Sequence, residues 1–233
     1  MKRRYFYRRI LYHNVDKIRK LERFKYMKDS LLINDLDQII KLSDKEFFNN
    51  FAYIMQIALV KDDSLYVDLI DKMYEICERD KEVLSDVLER TNKAKTLIMT
   101  KDNMNTSSIS ALSFGYAFKE GLKELLNDKY LDGEYLSLGC VAQGYISYKK
   151  NWLTKEEYYE LRDMFVPFYL PISVEMLDID KALEKIISNL ENNKDGLYSM
   201  ALLKKIGKTV VDNTISIDDI KDAINELNFD EAW

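Results

Sequence analysis

Five of the seven glycines in this 233-residue chain fall between Ser113 and Gly144, and none precedes Gly115. Only two prolines, Pro167 and Pro171, interrupt the chain. So few breakers make long helices the default, and each interior helical glycine costs about 1 kcal/mol relative to alanine. A glycine cluster in such a chain marks close helix approach, or a place where backbone must come near something.

The rest of the chain supports a helical reading. Ser43 with Glu46 has the spacing of a capping box, and Thr154-Lys155-Glu156-Glu157 reads as the cap of a later helix. Ser216 caps a last helix to Leu227, with Asp218 and Asp219 in its first turn complementing the helix dipole. Leu65–Ile76, Asp80–Thr100 and Asp178–Glu191 carry amphipathic patterns, the last through Leu183, Ile186, Ile187 and Leu190. Thr154 opens a helix expected to run to Phe165 before the prolines end it. Apolar residues make up 47% and charged residues 32%, a globular balance. No apolar run is long enough to span a bilayer, and no secretory signal is read at the N-terminus. Cys77 and Cys140 lack C-x-x-C spacing and are expected as reduced thiols in a cytoplasmic protein.

Charge is unevenly placed. Residues 1–28 hold 11 of the 35 Lys and Arg but only Asp16 and Glu22 of the 40 acidic residues. This basic, aromatic head, with Leu11, Val15, Ile18 and Leu21 at helical spacing, precedes an acidic body. Arg3, Arg4, Arg8 and Arg9 are candidates for an anionic or protein partner, and nucleic-acid binding through them would be strongly salt-dependent. The alternative is a helix with its charges solvated or paired on the body. His13 is the only histidine, and one imidazole cannot build a zinc site.

The glycine-rich stretch also carries a resemblance. It reads Phe114-Gly115-Tyr116-Ala117-Phe118-Lys119-Glu120, then Asp132-Gly133-Glu134-Tyr135-Leu136-Ser137-Leu138-Gly139. This resembles the F-G-H-x-x-G-H and H-G-E-x-x-x-x-G motifs of the dehydroquinate synthase family, with every histidine replaced. Asn50 to Leu59 is similar to the family's G-M-A-E-V-I-K-Y-G, with Tyr53 and Gln56 in place of its glutamate and lysine. Lys95 and Asp102 match K-A-x-V-V-x-x-D, and Gly196 to Val211 resembles the G-x-x-x-x-V-L-L-x-x-I-G-K ending, retaining Lys208. The family arginine that would grip an anion has become Ile109. The resemblance spans roughly Leu31 to Leu227.

That resemblance implies an all-α, multi-helix domain like the family's C-terminal metal-binding domain, with a short extended segment near residues 197–211. It divides the chain into a basic extension, residues 1–30, and a helical domain, residues 31–233. No G-G-G-x-x-x-D phosphate loop occurs, so the family's N-terminal nucleotide domain is expected to be absent. The family uses NAD and a zinc ion, and the positions matching its metal ligands are Tyr53, Tyr116 and Asp132. Tyrosine rarely ligates zinc, so both cofactors are expected to be lost. Three readings follow for the old cleft. It is a hydrogen-bonded polar core of a non-catalytic scaffold or binding protein, expected to self-associate or join a protein partner. It is a remade site, with Glu120, Asp132 and Glu134 holding Mg²⁺ or Ca²⁺ and Lys95 or Lys208 taking an anion. Or the chain is part of a carbon–oxygen lyase of the dehydroquinate synthase type, with a separately encoded NAD-binding part.

Overall fold

A computed structural model describes residues 36–104, 111–127, 129–193 and 195–228. The basic head with Arg3, Arg4, Arg8, Arg9 and His13, and the Ser107–Ile109 segment, lie outside these residues. The expected boundary near residue 30 falls there too.

The described residues are mostly helical, with one small sheet. The helices are α1 (Leu36–Ile39), α2 (Asp44–Lys61), α3 (Asp63–Asp71), α4 (Met73–Cys77), α5 (Lys81–Met104), α6 (Tyr116–Leu126), α7 (Asp132–Lys149), α8 (Lys155–Asp163), α9 (Ile179–Ile187) and α10 (Ile217–Leu227). Short 3₁₀ turns, Ala111–Ser113 and Val166–Phe168, precede α6 and follow α8. No described helix is long and apolar enough to cross a membrane.

Local sequence sets the helix starts. The Ser43 hydroxyl accepts from the Glu46 amide at 3.4 Å while the Glu46 carboxylate accepts from the Ser43 amide at 3.2 Å. Thr154 with Glu157, and Ser216 with Asp219, close the same reciprocal box. Each box satisfies two N–H groups that a helix start would otherwise leave open. Three expected helices come out shorter, the one after Thr154 by ending at Asp163 rather than Phe165. The Leu65–Ile76 pattern breaks at Lys72, where φ −102° and ψ 19° separate α3 from α4. The Asp178–Glu191 pattern stops at Ile187, and Glu191 instead begins a strand.

The expected extended segment is a hairpin. Strand β2 (Tyr198–Lys205) pairs antiparallel with β3 (Lys208–Ile215), from Tyr198 opposite Ile215 to Lys205 opposite Lys208. Strand β1 (Glu191–Asn192) adds a short edge to β2. Gly207 sits in the hairpin turn at φ +76°, a region that favours glycine, and donates its amide to the Leu59 carbonyl at 2.8 Å. The hairpin is thereby fastened to the end of α2.

Helix α7 is the axis of the core. It is buried on nearly every side, from Gly133 through Ser147, and packs against α2, α6, α8, α10 and β2. A helix covered all round needs small residues where neighbours come closest. Gly133 and Gly139 supply that: a Cβ on Gly133 would stand 2.0 Å from the Asn49 carbonyl oxygen, and one on Gly139 2.0 Å from the Gly115 oxygen. Gly144 is looser, with only Leu161 side-chain carbons at 3.1 Å or more. Cys140 is buried and Cys77 half-buried, both as free thiols.

Candidate functional site

The glycine-rich stretch builds one polar cluster where α2, α6 and α7 meet. Gly115 begins it, in the left-handed region at φ +84° immediately before α6. Two buried glutamines hold this turn. The Gln56 amide of α2 donates to the Leu112 carbonyl at 3.0 Å and to the Phe114 carbonyl at 2.5 Å. Gln143 of α7 accepts from the Gly115 amide at 2.7 Å and donates to the Ala201 carbonyl of β2 at 2.6 Å. Both side chains satisfy backbone groups that would be costly to bury unpaired.

Once that turn is fixed, α6 places Tyr116, Lys119 and Lys123 on one face, at helical spacings of three and four. The opposite face packs on α9, where Gly121 admits Ile186 so closely that a Cβ would lie 2.6 Å from its side chain. Gly133 brings the start of α7 against the start of α2, its amide donating to the Asn49 side chain at 2.6 Å. Tyr53 is one turn beyond Asn49, so its hydroxyl reaches to 3.5 Å from Asp132.

Lys119 is the centre of this arrangement. Its side chain is 1% exposed, and its ammonium donates to Asp132 Oδ2 at 2.9 Å and lies 3.4 Å from Glu120. The same nitrogen faces the ring of Tyr116 at 4.9 Å and that of Tyr53 at 5.9 Å, within cation–π reach. Asp132 Oδ1 accepts a second ammonium, Lys123 Nζ, at 2.6 Å. Burial pushes the Lys119 pKa down, but Tyr116, Glu120 and Asp132 outweigh it and hold the group above its usual value. For Asp132 burial pushes upward, and the hydrogen bonds and charges of Lys123 and Lys119 overcome this to hold the carboxyl below its usual range. Lys119 and Asp132 are therefore held as a charged pair. A protonated lysine in this setting neither attacks as a nucleophile nor takes up a proton.

The expected site residues divide. Tyr53, Tyr116, Glu120 and Asp132 are brought together. Glu134 is not: its carboxylate accepts from the Leu131 amide at the start of its own helix. Among the described residues no group of three His, Cys, Asp or Glu side chains is placed to hold a metal ion, so the three carboxylates of the remade-site reading do not converge. Lys95 is buried on α5 and Lys208 is exposed at the hairpin end. Lys119 was missed by sequence reasoning. Its signal is visible in retrospect, because it occupies the second glycine position of F-G-H-x-x-G-H, where a long cationic side chain must go somewhere.

Residues 50–194 match the family model described as 3-dehydroquinate synthase C-terminal. This chain belongs to that family. The 3-dehydroquinate synthase of Thermodesulfovibrio yellowstonii is 25% identical over 202 residues, covering 86% of this chain and 56% of the relative. That of Coxiella burnetii is 28% identical over 193 residues, covering 82% and 54%. The chain thus spans about half the length of the curated relatives it matches. Among solved structures, 2-epi-5-epi-valiolone synthase from Streptomyces hygroscopicus, with NAD⁺ and Zn²⁺ bound, superposes with a TM-score of 0.74 at 20% identity. The match covers 83% of this chain and 54% of that one, and it establishes a shared fold. In this family member, Tyr53, Tyr116 and Asp132 surround a lysine.

Proposed function

We propose that this chain is a non-catalytic member of the 3-dehydroquinate synthase family, acting as a binding or scaffold module without zinc or NAD. One observation carries the reading: the Lys119 ammonium, buried 2.9 Å from Asp132 and facing Tyr53 and Tyr116. Zinc is held by imidazole, thiolate or carboxylate at about 2.0–2.2 Å for nitrogen and oxygen donors. The donors here are two phenols, whose ordinary pKa is about 10, and a carboxylate already bonded to two ammonium groups. A further positive charge among them repels a dication. These residues do not fit zinc. Without a metal to polarise a substrate carbinol, a nicotinamide at this site has no activated alcohol to oxidise.

A protein partner, or a second copy of the chain, suits such a module. In support, Tyr169 is 80% exposed, packing on Phe48 from a left-handed backbone, with Val166 exposed three residues earlier. A second reading makes the chain a subunit of a dehydroquinate synthase-type lyase, completed by a separately encoded NAD-binding part. The burial of Lys95, retained from the family motif, favours it.

The deciding experiment is an assay for 3-dehydroquinate formation by the purified chain with added zinc and NAD. It is run alone and with an extract of the source cells to supply any separate subunit, the extract's own activity being measured without the chain and subtracted. The expected result is no turnover in either case. Turnover only with extract would establish the subunit reading, and turnover by the chain alone would overturn the non-catalytic one.

A further inference from the structure

Lys119 is the one buried lysine on α6, and its surroundings have the makings of a receptor. Asp132 accepts from it at 2.9 Å, a distance suited to an ammonium–carboxylate hydrogen bond rather than to a metal–oxygen bond. Glu120 supplies a second carboxylate at 3.4 Å. Two phenol rings present their faces, Tyr116 at 4.9 Å and Tyr53 at 5.9 Å. Aromatic faces combined with carboxylates recognise organic ammonium groups, through ring quadrupoles and charge-assisted hydrogen bonds. The box is rigidly built. Its corners are carried by α2, α6 and α7, which are locked at Gly133–Asn49 and at Gly139–Gly115, where a Cβ would come within 2.0 Å of backbone oxygen. Lys123 stays outside, more than a third exposed, bonded to the other oxygen of Asp132.

We propose that Tyr53, Tyr116, Glu120 and Asp132 form a cation box selective for a primary ammonium, and that Lys119 is its tethered, permanently seated ligand. The inference rests on the non-catalytic reading for its biological sense, since a tethered occupant leaves no room for a metal. Its physical content is separate: removing the tether leaves a site for a free alkylammonium. Lys119→Ala deletes three methylenes and the ammonium, so the matching probe is propylammonium.

The test is thermal unfolding of wild type, Lys119→Ala and Lys119→Met, each with 50 mM propylammonium chloride or 50 mM potassium chloride. Propylammonium is expected to raise the Tm of Lys119→Ala by several degrees over potassium, and to leave wild type unchanged because its box is filled. Lys119→Met fills the space without a charge and should not respond. If Lys119→Ala does not fold alone, it is refolded with each salt: recovery with propylammonium only supports the box. No shift or recovery, an equal response to potassium, or an equal response in Lys119→Met would overturn it. Formation of 3-dehydroquinate would refute the non-catalytic reading while leaving this result intact. Failure of the amine would refute the box without restoring activity.

Discussion

Asp132→Ala is expected to destabilise the protein by about 3 kcal/mol, the lower part of the range for breaking a buried ion pair from one side. The substitution leaves Lys119 buried with Glu120 as its remaining carboxylate, at 3.4 Å. Asp132 is itself a quarter exposed, so solvent screens part of the loss. Its position in the first turn of α7 also makes its charge favourable to the helix dipole. Most of the cost is the stranded ammonium rather than the lost bond. The double variant Asp132→Ala/Lys119→Met should therefore recover much of the stability lost in Asp132→Ala, and urea unfolding of all four proteins measures that coupling. The pH dependence has a definite sign. The Asp132 pKa is lowered by folding, so its contribution is present above about pH 4 and lost as pH falls through the lowered value. The Lys119 pKa is raised, so its contribution is complete below about pH 10.4 and lost only as pH rises through the folded value. Wild type and Asp132→Ala should differ across the neutral range and converge in acid. A difference that persists unchanged well below pH 4 would contradict the ion-pair account.

Gly139→Ala is expected to cost more than about 3 kcal/mol, beyond the usual range for overpacking, because the clash is with backbone. Considered as an isolated helix, the same change should help by about 1 kcal/mol. Packing reverses the sign. The new Cβ would stand 2.0 Å from the Gly115 oxygen and 2.8 Å from its carbonyl carbon, and no side chain can swing aside to relieve it. Gly115 cannot readily shift either, since Gln56 and Gln143 hold the turn around it. Gly144→Ala is the control on the same helix. It meets only Leu161 methyl and methine carbons, at 3.1 Å and beyond, and should come out near neutral. Similar losses for both variants in urea unfolding would show that α7 resists alanine for reasons other than this approach.

The sequence made some of this legible because some of it is local. Ser43 forms its expected box with Glu46 three residues on, and Thr154 and Ser216 cap their helices as expected, each also closing a box with the acid three residues later. The glycine cluster announced close approach, and Gly133 and Gly139 make it. The hairpin falls near the extended segment that the resemblance implied, with Gly207 in its turn at positive φ. Other features depend on what packs where. The break at Lys72 has no proline or glycine to mark it, and α9 ends at Ile187, four residues before Glu191 pairs with Ser199 of β2. The carboxylates of the site were visible, but their occupant was not. Lys119 sits in a motif between Phe118 and Glu120, where a lysine reads as a solvated side chain. Only the meeting of α2, α6 and α7 shows that it is enclosed. Glu134 was grouped with Asp132 by proximity in sequence, and its role as a helix cap separates them.

The most direct measurement is calorimetric titration of zinc into the purified chain after treatment with a chelator, at neutral pH and beside Tyr53→Phe/Tyr116→Phe. The account predicts no binding at the cluster: any weak surface binding should be unchanged when both phenols are removed. A stoichiometric zinc site in wild type that disappears in the double phenylalanine variant would contradict it. Lys119 would then be a residue that yields its place to a metal rather than one that replaces it.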